Sequence, residues 1–97
     1  MKTTANQLLN KAATLMDQRG QQYDQPQGER SMGRAVKALN VILGREALTE
    51  SEGWLLLQIL KDVRDRQREL PHIDSLEDGI AYSALKAESR LAEVSNG

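Results

Sequence analysis

Two carboxylates four residues apart, Asp74 and Asp78, are the first residues in this chain whose type and spacing could do chemistry. On a helix they stand one turn apart on the same side. Such a pair can help hold Mg²⁺ together with the oxygens of a phosphate. Two cations, Lys61 and Arg64, sit three residues apart in the preceding segment and share a side with Leu57. They can bind phosphate while the carboxylates hold a metal, or they can pair with Asp78. A plainer arrangement is also available: Asp62–Arg66 and Lys61–Asp65 are i,i+4 pairs that would steady their own helix. Covalent catalysis has little to work with. There is no cysteine, hence no thiol nucleophile, disulfide or cysteine-ligated zinc. His72 is the sole histidine, and its place after Pro71 reads as a solvent-facing turn rather than a general base.

The elements that must position these groups are helices. The chain has 97 residues, which is one domain. It has no Phe, one Trp and two Tyr, so its core must come from Leu, Ile, Val, Met and Ala, a set that suits packed helices better than a β-sandwich. No apolar run is long enough for a signal or a membrane span, so the expectation is a cytoplasmic protein. Net charge is −1, divided as +3 over residues 1–49 and −4 over residues 50–97. That polarity can favour contact between halves or between subunits. It lacks the concentrated basic face of a nucleic-acid binder, and the second helix offers only Arg30, Arg34 and Lys37, which argues against DNA binding.

Apolar spacing predicts four helices, over about 3–19, 29–43, 50–69 and 75–93, in an all-α four-helix bundle. Thr3 or Thr4 can cap the first, and Gly20 can end it. Residues 20–28 read as a loop, bracketed by Gly20 and Gly28 and broken by Pro26. Gly44 is a natural stop for the second helix. Thr49-Glu50-Ser51-Glu52 is a capping box for the third, and Asp74-Ser75-Leu76-Glu77 offers another for the fourth. Met32, Ala35, Val36, Leu39 and Leu43 form the stripe of the second helix. In the third, Leu55, Leu56, Ile59, Leu60 and Val63 form a wide stripe, which predicts the central helix, with Trp54 as core or a subunit contact.

The fourth helix carries apolar residues on two sides. Leu76, Ile80, Ala84, Ala87 and Leu91 predict the core stripe. Ala81 and Leu85 fall opposite, with Asp78 between them and Tyr82 at the edge. A carboxylate among apolar residues predicts a second contact surface, either another helix or a second subunit, and motivates the expectation of a homodimer. A partly buried Asp78 then needs a cation, a hydrogen-bond donor or a metal.

In order and spacing these residues resemble a family of small all-helical proteins carried mostly by tailed phages and prophages, a family without an established function. The shared pattern is Arg-x-x-x-Tyr-(Gly/Asp)-x-Pro, a helix, Lys-x-x-Arg, then Asp-Ser-Leu-x-Asp-x-x-x-Tyr. Here it comprises Arg19, Tyr23, Asp24 and Pro26, then Lys61 and Arg64, then Asp74, Ser75, Leu76, Asp78 and Tyr82. The resemblance covers roughly residues 8–91. That family is distantly similar to the MazG-like nucleoside triphosphate pyrophosphohydrolases, which hold magnesium with acidic residues on two helices. The resemblance implies a MazG-like bundle in the cytoplasm of a bacterial host. It implies nucleotide binding with Mg²⁺-dependent pyrophosphate cleavage: Asp74 and Asp78 toward the metal, Lys61, Arg64 and Arg19 toward phosphate, and Tyr23 and Tyr82 toward the base or ligand. Arg19 can instead cap the carbonyl end of its helix, and Tyr23 can plug the top of the bundle. The Glu-x-x-Glu and Glu-x-x-Asp signatures of MazG occur nowhere in this chain. The alternative is a non-catalytic phage protein that binds and modulates a host protein.

Overall fold

The computed structural model describes residues 2–23 and 31–95, without the side chains of residues 19–23 and 95. The described residues form four helices and no strand: α1 (Ala5–Tyr23), α2 (Ser31–Leu43), α3 (Glu50–Arg66) and α4 (Ile73–Ser95). The all-α, four-helix architecture is as the sequence predicts. None of these helices is long and apolar enough to cross a membrane.

Local chemistry explains most of the boundaries. Thr4 caps α1, its Oγ1 accepting from the Gln7 amide at 3.2 Å while Gln7 Oε1 accepts from the Thr4 amide at 2.9 Å. Thr49 caps α3 through the expected box with Glu52. Gly44, at φ +69°, ends α2 in the left-handed conformation that glycine adopts without cost. Gly20 does not end α1. A helical glycine costs about 1 kcal/mol against alanine but imposes no stop, and the helix runs on to Tyr23. Tyr23 therefore closes a helix instead of sitting in a loop. The third helix stops three residues sooner than predicted, at Arg66. The residue before Pro71 is steered away from helical angles, and Gln67 closes the last turn onto Val63 O at 3.0 Å. The fourth helix starts at Ile73, two residues early, so Asp74 lies in its first turn and is not its cap.

Helices α3 and α4 form an antiparallel hairpin, with α1 packed on α4 and α2 packed on α3. One end is tied by Asp65, whose Oδ1 accepts from the His72 amide at 2.8 Å. His72 Nδ1 lies 2.6 Å from Ser75 Oγ, so this histidine is half-buried and hydrogen-bonded, not solvent-facing. At the other end Glu93 accepts from Ser51 N and Oγ at 3.1 and 3.0 Å, and Ser89 donates to Glu50 at 2.7 Å. Between the two ends Trp54 stacks on Tyr82, with centroids 5.7 Å apart. Trp54 is a core residue, 4% exposed.

The seam of this hairpin is not the predicted one. On α3 it consists of Ser51, Trp54, Gln58, Lys61 and Asp65, and on α4 of Ser75, Asp78, Tyr82, Leu85 and Ser89, all buried or half-buried. Both sets recur at alternating steps of three and four, the spacing of a coiled-coil seam. Leu55, Leu56, Ile59, Leu60 and Val63, expected in the core, are exposed. On α4 the expected core stripe is likewise displaced: Leu76 and Ile80 are half-buried, while Ala84, Ala87 and Leu91 are exposed. The side with Asp78, Ala81 and Leu85 is the buried one. Small side chains let two helices approach closely, and bulky leucine stripes hold them apart. At Gly79 an added Cβ would lie 3.9 Å from Lys61 Cβ, which marks how near the two backbones pass.

The α2–α3 connection is held by one side chain. Asn40 Oδ1 accepts from the amides of Ala47 and Leu48 at 2.9 and 3.1 Å, and its Nδ2 donates to Leu48 O at 2.9 Å. Helix α2 then lies against Gly53, where a Cβ would come within 2.5 Å of Met32 Sδ and 3.1 Å of Val36 Cγ2.

Candidate functional site

Of the charged residues predicted as a site, the structure brings Lys61 and Asp78 together. Lys61 Nζ lies 3.0 Å from Asp78 Oδ2, with the two side chains 16% and 10% exposed. The seam spacing places Lys61 opposite the second turn of α4. The burial that the sequence predicted for Asp78 is present, and its counter-ion is a lysine of the neighbouring helix. Arg64 and Asp74 are exposed and do not join the pair. Tyr82 is engaged by Trp54. The side chains of Arg19 and Tyr23 lie outside the described residues.

This arrangement does not fit a divalent cation held by Asp74 and Asp78. Asp78 already faces an ammonium group, and no cluster of three or more His, Asp or Glu side chains able to hold a metal occurs among the described residues. Phosphate binding by Lys61 would compete with its contact to Asp78. A groove of about 570 Å³ between α1, α3 and α4 is lined by Leu8, Leu9, Leu76, Ile80 and Ala84 together with the carboxylate of Asp62. No lysine or arginine lines it. It suits apolar matter and would repel a triphosphate.

One carboxylate is electrostatically tuned. The Glu93 carboxyl is held below the usual glutamate range, first by the Ser51 backbone amide; burial opposes this as the next effect, and the Ser51 hydroxyl and the Arg90 guanidinium lower it further. It sits at the amino end of α3, where unpaired amides and the helix dipole favour an anion. Its chemistry is structural: it locks the tail of α4 to the head of α3. No sequence signal pairs Ser51 with Glu93, because 42 residues separate them.

One unexplained feature is apolar. Leu55, Leu56, Ile59, Leu60 and Val63 are between 37% and 59% exposed and form one continuous face on α3. By helical angle that face points away from α4 and lies beside the one covered by α2. Glu52 stands in line with it at the amino end and Arg66 at the carboxyl end, both exposed. Proteins rarely leave such a stripe to water, and a contiguous exposed patch marks a binding surface. The sequence showed the stripe plainly but gave no sign that the described helices would leave it uncovered. No protein family, curated protein or solved structure matches this chain.

Proposed function

We propose that this chain is a non-catalytic helical binding protein, a phage or prophage accessory protein of the kind its sequence resembles, and that it works by docking the apolar face of α3 onto another protein. The observation that carries this reading is the exposure of that whole face in a chain where two of the candidate charges, Lys61 and Asp78, face each other. Helix-in-groove and helix-pair recognition both use such a face, with apolar anchors at helical spacing and charges at its rim. The competing reading, Mg²⁺-dependent hydrolysis of a nucleoside triphosphate, draws on the same Lys61 and Asp78 and would have to break their pair.

Two measurements test the proposal. A photo-crosslinking amino acid placed at Ile59 is expected to join the protein covalently to another polypeptide chain, whether a second copy or a different protein. The same probe at the exposed Lys37 on α2 is expected to give none. Incubation with a nucleotide panel and Mg²⁺, read by mass spectrometry, is expected to show no turnover. Turnover that disappears in Asp78→Asn would overturn the proposal.

A further inference from the structure

Leu55, Leu56, Ile59, Leu60 and Val63 leave one whole side of α3 bare of the other described helices.

The uncovered face of α3 is also near-palindromic in residue type about Ile59. Leu55 and Val63 stand equally far before and after it, as do Glu52 and Arg66, and all five are exposed. If two copies of α3 pack antiparallel with the two-fold axis passing Ile59, Ile59 meets its own counterpart. Leu55 then meets the partner subunit's Val63, and Glu52 meets the partner subunit's Arg66. Both ends of the contact carry opposite charges, as an isologous interface requires. The Glu52 carboxylate is held in place by the Thr49 amide at 2.8 Å, so it is ordered before any partner arrives. In a parallel pairing the same residues would set Glu52 against Glu52 and Arg66 against Arg66.

We infer that the occupant of the α3 face is a second copy of this chain, packed antiparallel about a two-fold axis at Ile59. The inference rests on the reading of that face as a protein-binding surface and names its partner. It differs from the dimer expected from the sequence, which used the fourth helix.

Cysteine scanning tests it directly, because the native chain has no cysteine. Under mild oxidation Ile59→Cys is expected to form a covalent homodimer nearly completely. Leu55→Cys mixed with Val63→Cys is expected to cross-link as a heterodimer, and each alone far less. Ile59→Glu is expected to give a monomer of unchanged helicity, since Ile59 is 48% exposed within the subunit. Arg66→Glu is expected to weaken the dimer about five-fold or more by setting like charges opposite each other. A dimer that survives Ile59→Glu, or that cross-links at Leu55 to itself rather than to Val63, would overturn the inference. A monomeric chain whose Ile59 probe still captures a different protein would overturn it and leave the binding-protein reading standing. A monomer that captures nothing would remove both.

Discussion

Lys61 Nζ stands 3.0 Å from Asp78 Oδ2 in the seam between α3 and α4, each side chain largely shielded from water. A buried ion pair is a poor source of net stability but is costly to halve, because the survivor keeps its charge without its partner. Asp78→Ala, which leaves Lys61 shielded without this counter-ion, is therefore expected to destabilise the chain by about 3 kcal/mol, read by urea unfolding. The double replacement Lys61→Met with Asp78→Leu is expected to recover most of that loss. If Asp78→Ala alone were neutral or stabilising, the pair would not be structural.

The Glu93 clasp predicts a pH dependence. The folded-state pKa of Glu93 lies below its ordinary value because the charged form accepts from Ser51. An acid shifted downward by folding adds stability that is fully present above its unfolded pKa and is lost as pH falls through the folded one. The stability difference between the wild type and Glu93→Gln is therefore expected to stay constant from neutral pH down to the ordinary glutamate range, then shrink in more acidic solution. Urea midpoints of both proteins across that range check it.

Asn40 closes the α2–α3 turn with three hydrogen bonds to backbone groups. Asn40→Ala leaves two amides and one carbonyl without that partner, and is expected to cost about 1–3 kcal/mol. Asn40→Asp keeps the two accepted bonds and loses the donated one, so its midpoint is expected to fall between those of the wild type and the alanine variant.

Two helical glycines predict opposite signs for one substitution. Alanine is favoured over glycine in a helix by about 1 kcal/mol. At Gly79 the nearest atom to a new Cβ is Lys61 Cβ at 3.9 Å, an ordinary contact, so Gly79→Ala is expected to raise the thermal midpoint. At Gly53 the new Cβ would collide with Met32 Sδ and crowd Val36 Cγ2. Gly53→Ala is expected to lower the midpoint, by about 1–2 kcal/mol of stability, as α2 is pushed off α3.

These contrasts show what was legible in the sequence and why. Capping chemistry was legible because it is local: Thr49 and Glu52 are near enough to find each other in any conformation that starts a helix. The helix faces were legible as stripes but not as destinations. Leu55, Leu56, Ile59, Leu60 and Val63 announce that something must cover them, and apolar spacing does not say whether that cover belongs to the same chain. The seam actually used carries Ser51, Lys61, Ser75, Asp78 and Ser89. Their small or paired polar side chains add little to an apolar pattern, yet they allow close approach. Their recurring three-and-four spacing was the available clue. Lys61 and Asp78 were legible as partners for each other, but equally as a phosphate and metal pair, since ion pairs and binding sites draw on the same residue types.

Sedimentation equilibrium of the 97-residue chain at micromolar concentration, beside Ile59→Glu under the same conditions, tests the central claim most directly. The account predicts twice the 10.8 kDa chain mass for the wild type and the single-chain mass for the variant, with equal helix content. A wild type that sediments as a monomer, or a variant that remains a dimer, would contradict it.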